Sequence, residues 1–102
     1  MLIEWTDPAL DDLETLRDYI AKDSPYYARQ FIERIFDAAE ALQDHPKMGR
    51  PVPEANCEDV RELIFQGYRI IYRTRPDRVQ ILTVIHGSRN LEGEEVKPWD
   101  GV

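Results

Sequence analysis

The sequence predicts an α+β domain: an N-terminal strand, an antiparallel helical hairpin, then a three-stranded antiparallel meander. Three observations predict it. Apolar residues recur at helical spacing between residues 6 and 46. After residue 60, β-branched and aromatic residues gather into runs separated by short turn segments. Helices grouped ahead of strands leave the hairpin to cover one face of a sheet. A chain of 102 residues suits a single domain spanning 1–102, which buries about 60–65% of its unfolded surface and needs no disulfide or metal to do so.

The first element is "LIEW", residues 2–5, a short strand. "TDPALDDLETLRDYIAKDS" follows, with Thr6 or Asp7 as the cap, Pro8 at the first helical position, and Leu10, Leu13, Leu16 and Ile20 as the apolar stripe. "SPYYARQFIERIFDAAEALQDHP" restarts the same pattern: Ser24 caps, Pro25 opens the helix, and Ala28, Phe31, Ile35, Ala39 and Leu42 share a face. So short a connection makes the pair an antiparallel hairpin. "PKMGRPVPEANCED" has the Pro and Gly of a surface connection. "VRELIF", "YRIIYRT" and "VQILTVIH" then read as strands, joined by "QG" and "RPDR". His45, just past the second helix, suits a C-terminal charge position and is assigned no chemistry.

Composition excludes several classes. The lone Cys57 has no partner within the chain, and two histidines without clustered cysteines do not make a zinc site, so neither metal nor cofactor is expected. "MLIEWTDP" lacks the basic and apolar segments of a leader, and a cytoplasmic protein with no membrane contact is expected. A net charge of −7 argues against a general nucleic-acid binder. Charge is nonetheless uneven: residues 1–50 hold eleven acids and six bases, whereas residues 61–89 hold Arg61, Arg69, Arg73, Arg75, Arg78 and Arg89 against Glu62 and Asp77.

Strand alternation places Tyr68, Ile70 and Tyr72 toward the helices and Arg69, Ile71 and Arg73 on the opposite face. A two- or four-residue loop at "RPDR" sets Thr74 opposite Val79. Gln80, Leu82, Val84 and His86 then join the arginines on one open surface. The same counting across "QG" turns Glu62 onto that surface and Arg61 toward the helix side or its rim. Exposed guanidinium groups in an acidic protein suit phosphate or acidic side chains, which arginine grips through two parallel hydrogen bonds.

Taken in order, "A..DL..L.DYIA.DSP..A..F...I..A...L", "P.MGRPVPE", "VREL", "GYRIIYR" and "VIHGSR" resemble the RelE/ParE superfamily of bacterial type II toxins, along nearly the whole chain and closest to the ParE-like branch. The resemblance implies a toxin that arrests growth and a cognate antitoxin encoded alongside. It also implies one of two targets. ParE-like members inhibit DNA gyrase without enzymatic chemistry, whereas RelE-like members cut messenger RNA in the ribosome. RNA cleavage needs a base, an acid and cations on the phosphate. The residues available for it are Arg69, Arg73, His86, Arg89 and Glu54, with Glu62 a further acid. No tyrosine follows Tyr72, and with the acidic balance and long hairpin this favours gyrase. Arg69, Arg73, His86 and Arg89 are then target contacts. A family member with no toxic activity, serving only as an antitoxin partner, is the third expectation.

The second helix carries Tyr26, Tyr27, Phe31, Ile32, Ile35 and Phe36, more large apolar groups than one core-facing stripe needs. Some should be exposed, and a disordered antitoxin segment folding over them would use Tyr27, Phe31 and Ile32, with its acidic residues reaching Arg73.

Overall fold

A computed structural model describes residues 1–101. The elements are β1 (Leu2–Trp5), α1 (Asp7–Ala21), α2 (Pro25–Glu40) with a 3-10 turn at Ala41–Gln43, β2 (Arg50–Pro51), β3 (Val60–Phe65), β4 (Tyr68–Thr74) and β5 (Arg78–His86). They form the α+β arrangement with one five-stranded mixed sheet, ordered β1-β5-β4-β3-β2. β3, β4 and β5 are the antiparallel meander. β1 returns parallel to β5, pairing Leu2 with Arg78 through Trp5 with Ile81.

Local chemistry starts both helices. Thr6 is the cap of α1, accepting from the Ala9 amide at 3.4 Å, and its hydroxyl donates to the Ile81 carbonyl at 2.8 Å. The cap therefore also stitches the helix entrance to β5. Ser24 caps α2 by accepting from the Tyr27 amide at 3.1 Å, and Pro25 occupies the first position. Ala28, Phe31, Ile35, Ala39 and Leu42 are all buried, and fully burying a side chain such as Ile35 stabilises by about 2–3 kcal/mol. On α1 the stripe is shifted from the expected one. Ala9 is fully buried and Leu10 is exposed, because Ala9, Leu13, Leu16 and Ile20 follow the 3.6-residue period from the sheet side.

The connection after α2 is more than a surface loop. Arg50 and Pro51 form β2, pairing with Glu62 and Arg61 at the sheet edge. Gly49 enters this strand where a Cβ would lie 2.5 Å from the Glu62 carbonyl oxygen and 2.7 Å from the Tyr72 hydroxyl. The Gly49 amide donates to that hydroxyl at 2.9 Å, and Tyr72 is wholly buried. Burial also pushes the Tyr72 phenol above its ordinary pKa, so it stays a neutral partner.

The sheet has two covered faces. Ile70, Tyr72, Val79, Ile81 and Val84 meet the helices, whereas Ile71, Leu82 and Ile85 pack with Val52, Val60 and Leu91, flanked by Ala55, Cys57 and Trp99. The arginine face is thus roofed by residues 52–60 and by the C-terminal segment. It is not the open surface expected, since Ile71, Leu82 and Ile85 would otherwise leave an apolar patch in water.

A second correction concerns β5. Thr74 faces Val79 as expected, but Ile71 pairs with Thr83 and Tyr72 with Ile81, so Leu82 is an extra residue between them. This bulge reverses the alternation beyond it. Val84 enters the helix-side core and His86 pairs with Tyr68 at the rim of that side, while Gln80 and Leu82 keep the arginine face.

Gly49→Ala should destabilise the fold by about 1–3 kcal/mol through overpacking. Tyr72→Phe should cost about 1–2 kcal/mol by stranding the Gly49 amide. Denaturant unfolding monitored by tryptophan fluorescence measures both, with Leu10→Ala expected within about 0.5 kcal/mol of the parent.

Candidate functional site

Arg69 is the centre of a buried charge network. Only 5% exposed, it donates through Nε to Glu62 at 2.6 Å and through Nη1 and Nη2 to the two Glu54 oxygens at 2.8 and 2.9 Å. Nη1 also donates to the Arg89 carbonyl at 2.9 Å. Glu62, itself buried, takes a second cation through its other oxygen, from Arg50 Nε at 2.6 Å. Glu54 in turn accepts from the Leu91 amide at 3.2 Å. Two carboxylates and two guanidinium groups balance, as a buried network must. β-Strand alternation puts Glu62 and Arg69 on one face of neighbouring strands, and the loop from β2 brings Glu54 over them.

The Arg69 hydrogen bonds hold the Glu54 carboxyl at a pKa of about 2, well below its ordinary 4.5, against the opposing effect of burial. The same bonds raise the Arg69 guanidinium, Glu54 being the larger cause. Glu54 is therefore a fixed anion at neutral pH and no proton donor.

The remaining candidates are dispersed. Arg73 is mostly covered, with Nε 3.4 Å from Asp59 and Nη1 3.4 Å from the Trp99 carbonyl. Hydrogen bonding from Cys57 is the chief reason the Asp59 carboxyl lies below its ordinary pKa, with Arg73 adding to it. His86 and Arg89 lie elsewhere, in a cleft of about 370 Å³ between α1 and the end of β5, walled by Asp12, Thr15, Leu16, Tyr19, Tyr68, Val84 and Ile85. The His86 ring stands edge-on to Tyr68, with centroids 5.5 Å apart. Its Nδ1 accepts from the Ser88 amide at 3.2 Å and lies 2.7 Å from the Ser88 hydroxyl. An amide can only donate, so the neutral ring carries its proton on Nε2. Arg89 is exposed and forms a two-pronged ion pair with Glu94 at 2.9 and 3.0 Å.

The structure thus brings Glu54, Glu62 and Arg69 together inside the protein and His86 with Arg89 in a cleft. It does not join Arg69, Arg73 and His86 on one surface, because the bulge at Leu82 sends His86 to the other side. Sequence reading missed Asp12, Tyr19, Tyr68 and Glu94. Asp12, Thr15 and Tyr19 carry a readable signal, a polar stripe at helical spacing beside the apolar one. Asp12 is the cap of an open edge: β1 pairs only as far as Ile81, and the Asp12 carboxylate takes the Val84 amide at 3.1 Å and the Thr83 hydroxyl.

On α2, Tyr26, Tyr27 and Phe36 are exposed, as expected for a helix with surplus apolar groups. Phe31 is not among them. It is 5% exposed and packs its ring on Phe65 and Tyr68, so it is a core residue and not the exposed group expected, while Ile32 is partly buried. Among the described residues no helix is long and apolar enough to cross a membrane, and no group of three or more His, Cys, Asp or Glu is placed to hold a metal ion.

Glu54 gives the network a pH signature. Its pKa is depressed on folding, so its stabilisation is complete above about pH 4.5 and is lost as pH falls toward about 2. Glu54→Gln should flatten the stability profile across that interval, as read by urea midpoints at a series of pH values.

Comparison with known proteins agrees with this architecture. The family model described as ParE toxin of type II toxin-antitoxin system, parDE, matches residues 3–91. The chain is 41% identical over 86 residues to Y4kP of Sinorhizobium fredii, covering 82% of this chain and 85% of that protein. It is 34% identical over 88 residues to the toxin RelE2 of Caulobacter vibrioides, covering 85% and 96%. A solved structure of the chromosomal ParDE system from P. aeruginosa superposes with a TM-score of 0.71 at 25% identity, over 84% of this chain and 95% of that one. With the helical hairpin on a twisted meander and the match running from β1 to Leu91, the chain belongs to the ParE toxin family of type II toxin-antitoxin systems, within the RelE/ParE superfamily.

Proposed function

We propose that this toxin acts by binding, that its target is DNA gyrase, and that a cognate antitoxin neutralises it. The observation that carries the reading is the commitment of Arg69. Cleaving RNA through its 2′-hydroxyl requires a base, an acid and a cation able to meet the phosphate. The Arg69 guanidinium is spent on Glu54, Glu62 and the Arg89 carbonyl beneath the surface. Glu54 is held ionised by that pairing and has no proton to give. His86 turns its free nitrogen lone pair toward Ser88, so Nε2 offers a donor and not a base. Such an arrangement presents surfaces for contact.

The second reading is a ribosome-dependent endoribonuclease, favoured by the 34% identity to RelE2, with Arg73, His86 and Arg89 as its exposed or rim residues. Supercoiling by purified gyrase with added toxin discriminates the two. Inhibition with accumulated cleavage complex is expected. Untouched gyrase alongside cuts in translated messages, mapped by primer extension and abolished by His86→Ala, would establish the ribonuclease instead. Normal growth on induction of soluble toxin without antitoxin would leave only a scaffolding partner.

For the antitoxin, the exposed aromatic residues of α2 are the binding surface, with Tyr26 on its outer side, Tyr27 on one flank, and the partly buried Ile32 with Phe36 on the other. Arg73, on the far face of the sheet and paired with Asp59 and the Trp99 carbonyl, is a separate contact that acidic antitoxin residues reach by competing with Asp59. A solved relative is itself a ParDE system. Tyr27→Asp should weaken capture of the product of the adjacent gene by about tenfold or more, as removal of a central aromatic anchor does. Arg73→Glu should also weaken it. Circular dichroism confirms that each variant is folded, and undiminished capture by both removes this interface.

A further inference from the structure

The turn after β5 combines an immobilised backbone with exposed side chains. Gly87, Ser88, Arg89 and Asn90 are all exposed, yet the main chain is fastened at four successive points. The Gly87 amide donates to the Gly67 carbonyl at 2.7 Å, and the Arg89 amide donates to the His86 carbonyl at 3.0 Å. The Arg89 carbonyl accepts from buried Arg69, and the Leu91 amide donates to Glu54. Leu91 itself is 1% exposed, an apolar anchor under the sheet. A buried guanidinium reaching the backbone of a surface turn fixes that turn far more firmly than its own residues would.

We propose that Arg69 and Glu54 are positioning residues that clamp the His86–Leu91 turn, and that this turn with the Tyr19 face of α1 is the surface that grips a carboxylate-bearing segment of the target protein through Arg89. The assignment rests on the reading of a protein target. Glu94 occupies the Arg89 fork through both oxygens, which shows the geometry the fork accepts and places an internal competitor on it. His86, with its Nε2 donor, lines the same cleft as Arg89, and Tyr19 and Tyr68 supply aromatic walls there. Holding the turn rigid lowers the ordering cost of binding. Arg69 thus serves the target without touching it.

Competition makes the clearest test. Glu94→Gln removes the internal carboxylate from an exposed pair, and because such pairs are weak it should tighten inhibition of gyrase by about two- to fivefold. Arg89→Glu should weaken it by roughly tenfold or more. Glu54→Gln keeps an acceptor for the Leu91 amide and leaves Arg69 paired with Glu62. It should accelerate amide exchange at Asn90 and Leu91, and it should raise the inhibitory concentration while antitoxin capture through α2 is unchanged. An unchanged or weaker Glu94→Gln variant overturns the competitor and the fork. Unchanged exchange in Glu54→Gln overturns the clamp. Binding to immobilised gyrase is measured without DNA: if it appears only with DNA present, and Glu94→Gln instead tightens binding to the DNA alone, phosphate is the ligand and the proposal fails. A wild-type toxin with no effect on gyrase refutes the target reading, and the exchange measurement still judges the clamp.

Discussion

Arg69 is the group around which the second face of the sheet is organised. A guanidinium placed there by strand alternation cannot be covered by apolar chain unless its charge and donors are met. Glu62 on the neighbouring strand meets Nε, Glu54 from the loop after β2 meets both terminal nitrogens, and the Arg89 carbonyl takes what remains. With those bonds in place, Val52 and Leu91 can close over Val60, Ile71, Leu82 and Ile85. Remove the compensation and the roof has a reason to open. The charge network and the small second core are therefore one unit, and the turn after β5 is its outer edge.

The helix-side core depends on an independent constraint. A single extra residue, Leu82, decides which residues of β5 enter each core: Val79, Ile81 and Val84 face the helices, while Leu82 and Ile85 face the roof. The same offset lifts His86 beside Tyr68 and away from the arginines. Because β1 stops pairing at Ile81, where the bulge begins, the edge beyond is left to Asp12, and α1 and β5 together define the cleft. A one-residue irregularity thus decides which groups can act together.

The proposed function rests on where charge is spent. In the ParE family fold seen here, Arg69, the arginine matched to a ribonuclease cation by resemblance, is internal and the Nδ1 of His86 is engaged by Ser88. What remains outside is an aromatic flank on α2 and an arginine fork on the β5 turn. These are two surfaces of different chemistry on different parts of the domain, and the proposed reading gives the first to the antitoxin and the second to the target.

Much of this was legible in the chain itself. Thr6 and Ser24 mark helix starts through hydrogen bonds that close within three residues, Pro25 does so through its fixed φ, and the stripe from Ala28 to Leu42 follows from helical geometry alone. The pairing of Thr74 with Val79 follows from the turn, and the family pattern runs from β1 to Leu91. Such features are local, so sequence determines them. Tertiary structure decided the rest: the Leu82 bulge, the roof over the arginines, the loss of Phe31 to the core, and the pairing of Arg69 with Glu54. No periodicity announces a single inserted residue in a run of uniformly β-forming side chains. Whether an arginine meets water or a carboxylate depends on segments 15 and 20 positions away in the chain, and only the folded packing brings Glu54 and Arg89 to Arg69.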